Sequence, residues 1–524
     1  MKRQNIMFST LVLSASALFV RLIGFVFRVY LSNTMGAQGM GLYSLVMSVY
    51  ALSITFATSG ISTAVSKLAA EELARGKTGN ARRILSGSVA MSLTLSCVVA
   101  LILYLFADPI AVNILGDART VLSLKLLAPG LPFLSVCACL RGYFIACRRV
   151  AVPASAQVIE QLFKMAFIMT TLSAGLSKGI AEGCALVVLG ITLGEGVCLV
   201  YTLAGYLIDR RKHPEQQQDF TRGYNLRILR FALPISVSHY IRSILRLWED
   251  ILIVSGLAAF GGNHDDATGT YGMLRGMVMP LLIFPLSLLS AFVITLTPEV
   301  SRLYALSQRR RLESVIGKIL QVTSILGVLI VCLLMSFSYE IGVVVYKDPR
   351  VGEMLRSMAF LCPFMCIETV VVSILQGMGE QTHSAVYSVG DCLLRVLMVW
   401  LLIPRWGVWG FVWMVVASNL FTSLLNLGRL MKITRISLRI NDWVFKPVLA
   451  ALAASQTWKA LCNYSLLGEM ALWQSLALGL MVISLVYGLV LLSVGSITRK
   501  DIVWILQRFR PGPEQMHAVS QKGG

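Results

Sequence analysis

Residues 6–31 read IMFSTLVLSASALFVRLIGFVFRVYL, an apolar run whose only charges are Arg21 and Arg28. At 1.5 Å rise per residue such a helix is about 39 Å long against the ~30 Å hydrocarbon core of a bilayer, so it can span a membrane with Arg21 close to the middle. The seven-residue step to Arg28 puts both guanidinium groups near one helix face, and deep charge is tolerated only where that face meets protein or water. A cationic cavity is therefore expected. The alternative is that Arg28 snorkels to the interface and Arg21 pairs with a carboxylate elsewhere.

The rest of the chain follows this first run. Its 524 residues are 56% hydrophobic and 14% charged, with a mean hydropathy of +0.74, too apolar for a soluble protein. An all-α, polytopic membrane protein is expected. The net charge of +20 is scattered in short clusters between apolar runs, which fits membrane topology and argues against nucleic acid. Of eleven cysteines, Cys97, Cys137, Cys139, Cys198, Cys332, Cys362, Cys366 and Cys392 lie inside apolar runs without C-x-x-C spacing, so they read as small buried residues with no metal or disulfide. Lys2-Arg3 begins the chain as a signal peptide would, but the following run is too long and contains arginine; a retained first span is expected.

About fourteen apolar runs can be placed, near 6–31, 41–66, 84–107, 119–147, 153–176, 181–208, 226–257, 270–298, 316–338, 353–376, 382–403, 407–428, 447–465 and 471–495. Alternate loops are rich in Lys and Arg, as at Arg82-Arg83, Arg210-Arg211-Lys212 and Arg309-Arg310-Arg311, and the positive-inside rule then puts both termini in the cytoplasm. The polar stretch from Asp209 to Asn225 reads as a linker. A repeat supports this division. Pro129, Gly142 and the Glu160/Lys164 pair recur as Pro363, Gly377 and Asp391/Arg395. The expected domains are 1–220 (six helices and linker), 221–438 (six helices), 439–510 (an extra helix pair) and a disordered tail, 511–524. In this scheme the seventh helix repeats the first. It carries Arg242 and Arg246 near its middle, followed by Glu249 and Asp250, and Arg246 to Asp250 could be a self-neutralising i,i+4 pair.

The runs FVRLIGFVFRVYLSNTMGAQGMGLYSLVMSVY, GISTAVSKLAAEE and RGYFIACRRVAVPASAQVIEQ resemble the polysaccharide transporter branch of the multidrug/oligosaccharidyl-lipid/polysaccharide (MOP) exporter superfamily. The pattern is nearest the stage V sporulation protein B group and is similar, more distantly, to lipid II flippases. The resemblance implies two six-helix lobes forming a V around a cavity that opens alternately to each side, moving a lipid-linked sugar outward for peptidoglycan, spore cortex or surface polysaccharide. It also implies that Arg21, preceding Leu22-Ile23-Gly24-Phe25, lines that cavity; where the flippases carry a second arginine after the same Gly-Phe, this chain has Phe27, with Arg28 one step on. The final helix pair would then offer a groove for the lipid tail or simply add stability.

Planar guanidinium groups match phosphate oxygens in bidentate fashion and stay charged in a low-dielectric site. The expected substrate-binding residues are therefore Arg21, Arg28, Arg242 and Arg246, with Asn33, Tyr43, Tyr50, His239, Tyr240 and Trp248 available to a sugar or to ordinary packing. The intramembrane acids Glu160, Glu195, Glu368 and Asp391 are candidates for coupling to H⁺ or Na⁺. Lys164 and Arg395 lie one turn from Glu160 and Asp391, where structural pairing competes, whereas Glu195 and Glu368 have no base at helical spacing. There is no P-loop, H-E-x-x-H motif or serine-nucleophile elbow, so no catalytic residue, cofactor or metal is expected. A transporter is expected, working as a monomer among membrane lipids. The alternatives are an ion-coupled drug or cation antiporter of the same superfamily, which prefers an acidic cavity, and an integral membrane glycan enzyme, which needs larger external loops than these.

Overall fold

The computed structural model describes residues 2–212, 224–436, 440–463 and 471–496, with side chains of the first helix from Leu18 onward. Among these residues every regular element is helical. The helices that matter below are α1 (Lys2–Thr58), α2 (Ile61–Ala74), α3 (Thr78–Leu105), α4 (Val121–Leu127), α5 (Gly130–Ala146), α6 (Ala151–Leu176), α7 (Ile180–Lys212), α8 (Tyr224–Gly261) and α9 (His264–Tyr271). They are followed by a π-helical segment (Gly272–Val278), α10 (Met279–Ala305), α11 (Arg309–Ser336), α12 (Ser338–Tyr346), α13 (Pro349–Met358), α14 (Cys362–Gly377), α15 (Gln381–Trp406), α16 (Val408–Thr434), α17 (Lys446–Asn463) and α18 (Leu472–Ser493).

Eight described helices are long and apolar enough to cross a membrane, and a ninth is added if Ala118–Leu127 and Gly130–Ala146, bent by 44°, form one span. The helices and the fourteen apolar runs do not correspond one to one, because the backbone breaks where glycine and proline allow it. The first two runs are joined in the 57-residue α1, which bends at Gly36 (φ 69°, ψ −175°), a conformation open essentially to glycine. The second run does not continue to residue 66. It stops at Thr58, and α2 restarts after Gly60 (φ 75°). A Cβ on Gly60 would also lie 2.5 Å from the Ala232 carbonyl oxygen, so α8 packs directly against this break.

The described chain forms two compact units, Met1–Thr295 with Gly379–Asn426, and Leu296–Met378 with Leu427–Gly524. This division cuts across the boundaries expected at residues 220 and 438. The reason is packing: α8 lies along α15, and α1 lies against α8, α9 and the π-helical segment, so these later elements join the first six helices. Inside the first unit, Ile61, Val65 and Leu68 of α2, Ile84 and Leu85 of α3, Leu140 and Tyr143 of α5, and Ile228 of α8 share one buried core. In the second unit, Phe337 packs edge-on to Trp458 of α17 with centroids 5.5 Å apart, and Tyr487 of α18 donates to the Ile325 carbonyl of α11 at 2.8 Å. The expected extra pair is thus α17 and α18. The linker from 213 to 223 and the chain from 497, with its tail at 511–524, lie outside the described residues.

Two positions of the sequence repeat play the same part. A Cβ on Gly142 of α5 would stand 2.7 Å from the Ser62 carbonyl oxygen of α2, and one on Gly377 of α14 would stand 2.6 Å from Thr297 Cγ2 of α10. In each case the glycine admits a close helix crossing, each inside its own unit. The apolar outer faces are equally legible. On α15, Val386, Leu393, Leu397 and Trp400 form an exposed stripe, opposite Asp391 and Arg395, as a lipid-facing helix requires. All eleven cysteines are free, but Cys97 is exposed on α3 rather than buried as expected, because α3 turns much of its apolar surface outward.

Candidate functional site

The site begins with two glycines. A Cβ on Gly41 would sit 2.1 Å from the Thr268 carbonyl oxygen, and one on Gly272 would sit 2.1 Å from the Ala37 carbonyl oxygen. Backbone therefore touches backbone where the second arm of α1 (residues 37–58) crosses α9 and the π-helical segment. Three residues on from each glycine, Ser44 and Arg275 face a common cavity of about 380 Å³, entirely within the first unit. The first arm of α1 adds Arg28, α8 adds Arg246, Glu249 and Asp250, and α15 adds Asp391 and Arg395.

Four arginines and three carboxylates thus line one cavity, and their pairing is uneven. Glu249, 1% exposed, accepts from Arg275 Nη2 at 2.6 Å and from Arg395 Nη2 and Nε at 2.5 and 2.9 Å. Arg275 Nη2 also lies 2.8 Å from Asp250 Oδ1, and its guanidinium carbon stands 5.9 Å from the centre of the Phe411 ring. Asp391 accepts from the Ser418 hydroxyl at 2.5 Å. Arg28 and Arg246 have no ion-pair or hydrogen-bond partner among the described residues, and Arg28 Nε and Ser44 Oγ are buried without one. The cavity therefore keeps two guanidinium groups without a partner, with Asp391 the one lining carboxylate that no arginine pairs among the described residues.

Of the expected binding residues, the structure brings Arg28 and Arg246 together in this cavity and leaves Arg21 and Arg242 off its lining. Arg21 Nη1 instead reaches α10, donating to Ser290 Oγ at 3.2 Å and the Ser287 carbonyl at 3.4 Å. Arg242 Nε turns back to its own helix, to the Ser238 carbonyl at 3.2 Å. The i,i+4 pairs read from the sequence are also redrawn. Asp250 pairs with Arg275, not Arg246; Arg395 pairs with Glu249, not Asp391; and Glu160 and Lys164 make no ion pair with each other among the described residues. Tertiary neighbours lie closer than the next turn of the same helix.

The coupling candidates separate too. Asp391 lines the cavity, Glu195 is buried against Tyr50 of α1, whose hydroxyl donates to it, and Glu368 belongs to α14 of the second unit. None of the six residues offered for sugar contacts lines the cavity; Tyr50 is committed to Glu195, and Tyr240 stacks on Phe56 at 4.7 Å. Sequence reading does not single out Arg275 and names Glu249 only as an acid following Arg246, not as a site residue. A signal existed for Arg275, the lone charge between Asp266 and Glu299, the same kind of intramembrane charge that marked Arg21.

Residues 6–304, more than half of the chain, match the family described as polysaccharide biosynthesis protein. The chain belongs to that family. This polysaccharide biosynthesis protein is 26% identical over 453 residues to stage V sporulation protein B of Bacillus subtilis (strain 168), a match covering 84% of this chain and 87% of that one. Its fold is similar to the structure titled "Lipid II flippase MurJ, inward closed conformation", with a TM-score of 0.72 at 14% identity over 94% of this chain and 100% of that one. It is also similar to an inward-facing multidrug resistance MATE family transporter of the MOP superfamily, with a TM-score of 0.61 at 15% identity over 80% and 100% of the two chains. The polysaccharide-family resemblance read from the sequence is matched at the level of family and fold, and with eight or nine described helices long and apolar enough to cross a membrane the chain is a multi-pass membrane protein.

Proposed function

We propose that the protein moves an anionic lipid across the membrane, a lipid diphosphate carrying a sugar or peptidoglycan precursor, from the cytoplasmic to the outer leaflet by alternating access. The observation that carries this reading is the pair of uncommitted guanidinium groups, Arg28 and Arg246, beside the unsatisfied Ser44 hydroxyl. A phosphate oxygen is the acceptor that two planar cations and a hydroxyl together fit best. Arg275 and Arg395 serve differently, as positioning residues whose charge is already met by Glu249 and Asp250. The same pairing argues against the cation-antiporter alternative, because two of the three lining carboxylates, Glu249 and Asp250, are tied to arginine. Both termini are proposed to be cytoplasmic, on the charge asymmetry of the loops.

The test is native mass spectrometry of the purified protein with its bound lipids. Wild type is expected to retain a phosphate-bearing lipid, Arg28→Ala and Arg246→Ala to lose it, and Arg28→Lys to keep part, because the charge survives without the fork. Retention of the anionic lipid by the Arg28→Ala/Arg246→Ala double variant, or co-purification of a hydrophobic cation, would overturn the proposal.

A further inference from the structure

A second buried polar group lies in the same unit, outside the cavity. Glu195 of α7 is 5% exposed. One of its oxygens accepts from the Tyr50 hydroxyl, and the other, Oε2, has no partner. Oε2 faces the backbone where α4 gives way to α5: a Cβ on Gly130, the first residue of α5, would lie 3.1 Å from it. Thr192, one turn earlier on the same face of α7, donates to the carbonyl of Leu126 at 2.9 Å. The two helices meet at a 44° bend, where the Ala128 carbonyl accepts from the Leu131 amide at 3.2 Å. Glu195 and Thr192 therefore address one helix break, and Tyr50 ties Glu195 to the second arm of α1.

We propose that Glu195 is a proton-binding site, loaded and unloaded as the transporter cycles, with its proton directed toward the α4–α5 break. An ionised carboxylate held here by a single donor, with a bare second oxygen, carries a large desolvation cost. A protonated carboxyl is neutral and avoids that cost, and it places a hydroxyl on the oxygen that faces the α4–α5 backbone. The charged and titratable groups around it come from each packed element. They are Tyr50 of α1, Glu160 and Lys164 of α6 and Cys198 of α7 itself; on α5, Cys137 contacts Cys198 with Arg141 nearby, and Lys125 of α4 is turned to Asp108 at 2.8 Å. No arginine or lysine makes an ion pair with Glu195 among the described residues. A hard metal cation in its place would want about six oxygen ligands. The described residues gather no set of three His, Cys, Asp or Glu ligands, and the Thr192 hydroxyl is already engaged.

The experiment is infrared difference spectroscopy of the purified full-length protein between mildly acidic and mildly alkaline buffer, reading the carbonyl absorption of protonated carboxyl groups. Wild type is expected to show a band that disappears on the alkaline side, Glu195→Gln to lack it, and Glu160→Gln to keep it. Tyr50→Phe removes a donor that favours the ionised form, so its midpoint is expected to rise by about one pH unit. That variant also keeps the test open if Glu195→Gln does not fold. An unchanged band in Glu195→Gln, or an unmoved midpoint in Tyr50→Phe, would overturn the proposal. So would a band abolished by sodium chloride but not by choline chloride, which would assign the site to sodium. Because Glu195 does not line the cavity, the result is independent of whether the cavity takes a lipid phosphate.

Discussion

The helices α1 and α8 carry charge on the same spacing and use it in opposite ways. Seven residues beyond Arg21 stands Arg28; seven residues beyond Arg242 stands Glu249. Arg28 faces the cavity with no partner among the described residues, whereas Glu249 is buried and takes hydrogen bonds from both Arg275 and Arg395. One repeat presents an open charge and the other closes a network. The difference teaches that binding capacity in such a cavity depends less on how many arginines line it than on how many are already neutralised. The acidic residues that look unfavourable for anion binding are the ones that hold half of the arginines in place.

The largest effect that could break this comparison is at Glu249. Replacing it with Ala strips Arg395 of its ion pair and Arg275 of one of two, and removing one partner of a buried pair costs roughly 3–5 kcal/mol. A large fall in the thermal unfolding temperature of Glu249→Ala in detergent is expected, partly relieved in Glu249→Gln. The comparison is lost if Glu249→Ala melts like wild type.

Next in size is the open pair. Arg28→Ala and Arg246→Ala each remove a charge-assisted donor worth about 1.5–3 kcal/mol, so binding of a phosphate-bearing lipid to either variant is expected to weaken about ten- to hundredfold in a titration. Their unfolding temperatures are expected to stay at or above that of wild type, since no partner is left behind. A strong destabilisation of Arg28→Ala would show that the group is structural after all.

A smaller effect is expected at Asp348, outside the membrane spans, which caps α13 by accepting from the Arg350 amide at 2.9 Å. The Arg350 guanidinium hydrogen-bonded to it holds its carboxyl below the usual carboxylate range. A depressed folded-state value means that this contribution is present at neutral pH, above the unfolded-state value, and fades as pH falls through the folded-state one. Asp348→Ala is expected to cost about 1 kcal/mol at neutral pH, the usual worth of an N-cap, with a smaller difference from wild type in acid. A cost that grows in acid would reverse the sign. The smallest effect separates the cavity from ordinary packing: Tyr487→Phe gives up one hydrogen bond to the Ile325 carbonyl, about 1 kcal/mol or less, and is expected to leave lipid binding unmoved.

Much of this protein was determined by the sequence alone. Runs of apolar residues long enough to cross a bilayer require helices, because no water is available there to satisfy an exposed backbone. The family was legible for a related reason: motifs such as FVRLIGFVFRVYL keep charge and glycine at fixed positions in those runs. The arginine-rich character of the cavity was legible from Arg28 and Arg246, since charge in a membrane helix must face inward. Tertiary structure alone decided which charges neutralise one another. Helical periodicity suggested Arg246 with Asp250 and Asp391 with Arg395, yet Asp250 found Arg275, because a close crossing at Gly41 and Gly272 carries the π-helical segment to the cavity, and Arg395 found Glu249, because α15 packs along α8. An ion pair between helices depends on a few ångströms of approach, and that distance is set by where backbones can touch, which no spacing along one helix encodes.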